Sequence, residues 1–166
     1  MKFPGVKATS LTNRPYQLPR DLDGELNLVI VAFKQWQQDW VDTWIPSLQR
    51  LAFEHKALRV YEMPTMSRFN ALYRFMIDNG MRAGIPDKTV RAATLCAYID
   101  IPPFAQALQL PSYDTIYLFL LDRSGEILWR GQGQFDSQQL ADLATVLDRV
   151  TASAATSTNT AAVDIS

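Results

Sequence analysis

Hydrophobic and polar positions alternate between strand and helix patterns in the first half of the chain. Residues 26–33 form a continuous apolar run rich in β-branched side chains, which predicts a strand buried on both faces. Apolar residues then return at spacings of three and four over 36–54, which predicts an amphipathic helix. A second strand is predicted over 58–63 and ends at Pro64. Ser67 is expected to cap a following helix that stops at Gly80.

The second half predicts one more strand, a short helix, a hairpin and a closing helix. The strand covers 94–100, Pro102 and Pro103 open the helix, the hairpin pairs 115–121 with 126–131, and Ser137 caps a helix to Val150. Strands that alternate with helices favour parallel pairing through right-handed crossovers, whereas the hairpin must pair antiparallel. The predicted fold is therefore an α/β mixed sheet flanked by helices.

Composition indicates a single globular domain with polar ends. The 166 residues are 48% hydrophobic and 20% charged, and their net charge of −1 argues against a nucleic-acid partner. We expect an N-terminal extension over 1–24, the domain over 25–150, and a disordered tail over 151–166, where Ala, Ser and Thr predominate. No apolar run reaches the length of a membrane span, so we expect a cytoplasmic protein for which peripheral membrane association stays open.

The chain contains one cysteine, Cys96, and one histidine, His55. These counts exclude an internal disulfide and a Cys/His zinc site with four ligands from one chain, and we predict neither a metal nor a cofactor. Cys96 lies in a strand pattern, which favours a buried structural thiol over a reactive one.

Two landmarks resemble the thioredoxin and peroxiredoxin superfamily over residues 15–150. Phe33 and Pro46 match the strand-ending phenylalanine and the helix-kinking proline that flank the Cys-x-x-Cys motif of thioredoxins. The slots between them hold Gln38, Asp39, Trp40 and Val41, which we call the degenerate redox slot. Asp114 stands near the position of the superfamily's second landmark, a cis-proline. The resemblance implies a thioredoxin-like fold without catalytic residues, since an amide cannot replace a thiolate.

A closer resemblance is carried by two further segments. The run 80–86 and the hairpin motif Asp-x-x-Gly-x-Ile-x-Trp-x-Gly over 122–131 resemble the ATPase-complex assembly factor ten family of mitochondria. The resemblance implies a non-catalytic chaperone that binds a protein subunit of the membrane-embedded F-type ATP synthase. Because the N-terminus lacks the Arg- and Ser-rich pattern of a mitochondrial presequence, we expect a bacterial or cyanobacterial relative acting at the energy-transducing membrane.

A basic segment over 68–91 is the predicted partner-binding surface. It carries five Arg or Lys residues against two Asp, together with methionines and Ile85 on a predicted loop. The alternative is a solvated helix face with a loop packed on the sheet. The candidate partner-binding residues are Arg74, Met81, Arg82, Ile85, Lys88 and Arg91.

Other interpretations stay open from the sequence alone. Trp36, Trp40 and Trp44 form one stripe at i+4 spacing, for which core packing is expected and an exposed aromatic patch is the alternative. The alternative functions are a peroxiredoxin-like thiol oxidoreductase that uses Cys96 and a module that binds a small molecule or lipid.

Overall fold

A computed structural model describes the backbone of residues 1–67 and 93–164 and the side chains up to residue 154. Seven strands form one sheet, and three α-helices lie within the described ranges. The elements are β1 (Val6–Ser10), β2 (Pro15–Leu18), β3 (Leu26–Ala32), a 3-10 turn (Gln35–Gln37), α1 (Gln38–Glu54), β4 (Leu58–Ser67), β5 (Leu95–Ile99), α2 (Ile101–Ala107), β6 (Tyr117–Asp122), β7 (Ile127–Gln132) and α3 (Ser137–Asp164).

The sheet has the order β2-β1-β5-β4-β3-β6-β7. Strands β3, β4 and β5 pair in parallel, and the other neighbours pair antiparallel, which confirms the predicted mixed sheet. Strand β3 lies between β4 and β6, with Val29 opposite Tyr61 on one side and Phe119 on the other. Its residues from Leu26 to Val31 are all buried, because both faces of a central strand are covered. The start of α1 is thus fixed to the middle of the sheet.

Residues 1–24, which the sequence led us to treat as an extension, contribute β1 and β2 to the sheet. Residues 1–3 reach the hairpin of β6 and β7, where the Phe3 amide donates to the Gly125 carbonyl at 2.9 Å. The Phe3 ring packs edge-on against Phe104 and Phe119 at centroid distances of 5.9 and 5.7 Å. The N-terminal segment is therefore part of the compact unit that covers residues 1–134.

The turn of this hairpin depends on Asp122 and Gly125. One oxygen of the Asp122 carboxylate accepts hydrogen bonds from the Ser124 amide, the Ser124 hydroxyl and the Glu126 amide. Burial raises the pKa of Asp122, but these hydrogen bonds outweigh it and hold the pKa below its usual value. Gly125 has φ +88° and a Cβ there would lie 2.4 Å from Cγ of Pro19. The position therefore requires glycine.

Strand β4 is longer than the sequence predicts. It continues through Pro64 to Ser67, and Thr65–Ser67 pair with β5. Pro64 pairs with Ala32 at the last position of the ladder with β3. Proline has no amide hydrogen to donate, and at this position no later hydrogen bond of the ladder is lost. Ser67, which the sequence predicts as a helix cap, is the last residue of β4. The rest of that predicted helix lies outside the described residues.

Residues 135–166 form a second compact unit that contains α3. Asp136 caps this helix in place of the predicted Ser137, since its side chain accepts from the Gln138 amide at 3.1 Å and its carbonyl from the Leu140 amide at 3.0 Å. The helix continues to Asp164, which differs from the disordered tail expected from Thr151. Alanine, frequent in this segment, is the best helix former. Within the described ranges, no helix combines the length and hydropathy needed to cross a membrane.

Candidate functional site

The degenerate redox slot lies in the first turn of α1, at the end of β3. Gln38 and Asp39 are exposed, Trp40 is half-buried and Val41 is buried. In this position the N-terminal dipole of a helix would stabilise a thiolate. These four side chains supply an amide, a carboxylate, an indole and an alkyl group, so the slot has no thiol to activate.

Gln37, immediately before the slot, is fully buried and was missed by the sequence analysis. Its Oε1 accepts hydrogen bonds from the amides of Phe33 at 2.8 Å and Lys34 at 3.2 Å. Its Nε2 donates to the Tyr113 carbonyl at 2.7 Å. One buried amide therefore joins the end of β3 to the loop that precedes β6.

A second connection between these segments is an ion pair between Lys34 and Asp114. The Asp114 amide donates to Oγ of Ser112 at 2.9 Å, and the Tyr117 hydroxyl donates to the Ser112 carbonyl at 2.8 Å. The loop before β6, where Asp114 stands near the position of the superfamily's cis-proline, is thus fixed beside the degenerate redox slot.

Four aromatic side chains surround the segment 33–37, and we call them the aromatic platform. They are Phe33, Trp36, Trp40 and Tyr113. Trp36 and Trp40 meet edge-to-face at 5.1 Å between centroids, and Phe33 and Tyr113 lie 5.2 Å apart. Trp36 is 49% exposed and Tyr113 is 39% exposed, so each pair presents one ring to solvent.

The tryptophan stripe is therefore divided between core and surface. Trp44 is fully buried, and its Nε1 donates to the Gly133 carbonyl at 2.8 Å. Trp36 is exposed because it lies in the 3-10 turn, whose tighter winding breaks the register of the α-helical stripe. The expectation of core packing is correct for Trp44 and wrong for Trp36.

An acidic side chain lies beneath the slot. Glu62 of β4 makes a hydrogen bond with Gln38, which in turn donates to Asp42 at 2.9 Å. Burial raises the pKa of the Glu62 carboxyl, the Asp42 carboxylate raises it further, and the hydrogen bond with Gln38 opposes both. This carboxyl could hold a proton near the start of α1, but the slot offers no nucleophile to receive or release it.

Cys96 lies elsewhere, in β5 opposite Thr9 of β1, and is 2% exposed. Its neighbours Leu95 and Ala97 belong to the hydrophobic core, and Cys96 lies on the other face of the sheet. On that face it borders a hollow of about 580 Å³ whose lining includes Lys7 and Arg20. The thiol itself is covered, and the chain has no second cysteine to resolve a disulfide or sulfenic acid.

The predicted partner-binding residues lie outside the described ranges. They are Arg74, Met81, Arg82, Ile85, Lys88 and Arg91.

Solved structures with a similar fold are thioredoxin-like. A SCO1/SenC family lipoprotein from Bacillus anthracis str. Ames is 15% identical with a TM-score of 0.61, covering 90% of this chain and 95% of that one. A putative electron transfer protein from Aquifex aeolicus VF5 is 10% identical with a TM-score of 0.58, covering 88% and 94%. A putative thiol:disulfide interchange protein DsbE from Chlorobium tepidum is 15% identical with a TM-score of 0.52, covering 88% and 95%. At these identities the likeness establishes the fold alone.

Comparison of sequences identifies the family of the chain. No curated protein matches it. The profile of the family described as ATP10 protein matches residues 1–150, which include both strands of the N-terminal region, the degenerate redox slot and the hairpin motif. This match confirms the resemblance drawn from the hairpin, and the chain belongs to the ATP10 protein family.

Proposed function

We propose that the chain assists assembly of the membrane-embedded F-type ATP synthase by binding a protein subunit, and that it performs no thiol chemistry. The observation that carries the proposal is the family match over residues 1–150. In this chain the first turn of α1 consists of Gln38, Asp39, Trp40 and Val41, none of which is a thiol. The buried state of Cys96 supports the second half of the proposal, because a thiol covered in apolar surroundings is a poor nucleophile.

Complementation of a deletion strain of the source organism tests both halves. Assembled ATP synthase is measured on native gels, with rescue by the wild-type gene and by Cys96→Ser. We expect deletion to lower the amount of assembled enzyme and both genes to restore it equally. Normal assembly in the deletion strain would contradict the assembly role.

A peroxide and disulfide reductase assay of the purified chain separates this proposal from the oxidoreductase alternative. We expect no turnover above the buffer control. Activity that Cys96→Ser abolishes would establish the alternative. Native mass spectrometry of the same preparation tests the small-ligand alternative, which a stoichiometric co-purifying molecule would support.

The basic segment stays a proposed contact surface from sequence alone. Charge reversal at Arg74 and Arg82 should reduce complementation if this surface holds the subunit, whereas reversal at Lys7, exposed on β1, should not. Equal complementation by the Arg74 and Arg82 variants and by the Lys7 variant would contradict the proposal that the basic segment binds the subunit.

A further inference from the structure

We infer that the aromatic platform docks a polypeptide segment that carries arginine or lysine. The inference rests on the proposed function, since it names a surface and a partner chemistry for the binding role.

The exposure of the platform is unusual for its residue types. Trp36 leaves about half of its surface in water, and Tyr113 more than a third, although both are large and apolar. Tryptophan and tyrosine are enriched among the residues that dominate binding energy at protein interfaces. Trp36 contacts Trp40 at 5.1 Å between centroids, so the exposed indole lies against a second ring.

The platform is also held in place before any partner arrives. Gln37 fixes its backbone through three hydrogen bonds, and Lys34 and Asp114 tie the loop of Tyr113 to the end of β3. Binding to such a surface requires little further ordering of side chains or loops, so less of the contact free energy is lost to entropy.

The charge beside the platform selects the partner's chemistry. Asp39 and Asp42 are exposed on the first two turns of α1, and residues 38–49 contain no Lys or Arg. Lys34 is neutralised by Asp114. A cation over the face of an indole is attracted by the ring, and tryptophan is the strongest of the aromatic acceptors. Aromatic faces next to exposed carboxylates therefore fit a guanidinium or ammonium, and would repel an acidic segment.

Selection from a phage-displayed random-peptide library on the purified full-length chain tests the inference. We expect the enriched peptides to carry Arg or Lys, with affinity that falls as salt is raised. Enrichment of acidic or uncharged peptides, or no enrichment at all, would overturn the inference. This selection uses no ATP synthase component. Its failure would therefore overturn the docking inference without contradicting the assembly role, which the complementation experiment tests separately.

Matched variants then locate the site for the selected peptide. Trp36→Ser should weaken binding by roughly tenfold, as expected for loss of one cation–π contact with its packing. Trp36→Phe keeps a ring against Trp40 and should lose less. Phe53→Ser, at the other end of α1 and 76% exposed, is the control and should bind as the wild type does. Equal loss in the Trp36 and Phe53 variants would place the site elsewhere.

A further variant and its control test the contribution of the acidic side chains to peptide binding. Asp39→Asn combined with Asp42→Asn should weaken binding several-fold and flatten its salt dependence, whereas Glu54→Gln on the same helix should change neither. Concentration-dependent self-association that Trp36→Ser abolishes would mean that a second copy occupies the platform, and would overturn the inference. Circular dichroism of each variant checks that it is folded.

Discussion

The prediction most directly worked from the structure concerns Gln37→Ala. The substitution removes one buried amide and leaves the Phe33 amide, the Lys34 amide and the Tyr113 carbonyl without that partner. Each hydrogen bond contributes about 1 kcal/mol net, and a donor or acceptor left dry costs about 1–3 kcal/mol. We therefore expect a loss of roughly 3 kcal/mol, equivalent to about 6–12 °C in Tm for a chain of this size.

Urea unfolding followed by tryptophan fluorescence measures this loss. Gln35→Ala is the matched control, because Gln35 is exposed in the same 3-10 turn, and its effect should stay within about 0.5 kcal/mol. An unchanged urea midpoint for Gln37→Ala would refute the reasoning, because the three hydrogen bonds would then contribute nothing.

Gln37→Glu adds a test through pH. The introduced carboxylate can accept from both amides but cannot donate to the Tyr113 carbonyl, and its charge would be fully buried. We expect burial, together with the Tyr113 carbonyl to which only a protonated carboxyl can donate, to outweigh the two amide donors and raise the folded pKa of this carboxyl. The variant should then be most stable when protonated and lose stability as pH rises through the folded pKa. A deficit relative to the wild type that does not shrink at low pH would contradict this geometry.

Two further predictions address the scaffold. Gly125→Ala should destabilise the chain by more than about 1 kcal/mol in a urea titration, because it combines a positive φ with contact on Pro19, whereas Gly5→Ala meets only ordinary contacts and should be near neutral. Burial raises the pKa of Tyr61, whose hydroxyl donates to Asp23, to about 12. The neutral phenol is thus favoured by folding, so stability should fall between about pH 10 and 12. Tyr61→Phe should show a smaller fall, since burial also raises the pKa of Tyr16 and of Tyr117.

The central elements could be predicted because their patterns have one interpretation. The apolar run 26–33 is short and rich in β-branched residues, which favours a strand covered on both faces, and the tryptophan and leucine spacing after it predicts α1. Strands β1 and β2 escaped prediction because they are five and four residues long and mix polar with apolar positions. Their strand character comes from pairing with β5 and with each other, which no local pattern records.

The candidate site was predictable only in part. The spacing from Phe33 located the degenerate redox slot at the start of α1, where the structure has it. The local sequence did not predict the burial of Gln37, since a polar residue between Trp36 and Gln38 is typical of an exposed turn. Its burial follows from the approach of the Tyr113 loop, whose position depends on β6 and therefore on contacts distant in sequence.

The pairing of residues 1–3 with the hairpin sets the order in which the chain can fold during synthesis. Phe3 leaves the ribosome early, but its ring partners Phe104 and Phe119 and its hydrogen-bond acceptor Gly125 leave late. Strand β1 likewise waits for β5. Residues 1–3 and the β5-facing edge of β1 therefore lack these partners until most of the chain has been translated, although β1 can pair with β2 earlier.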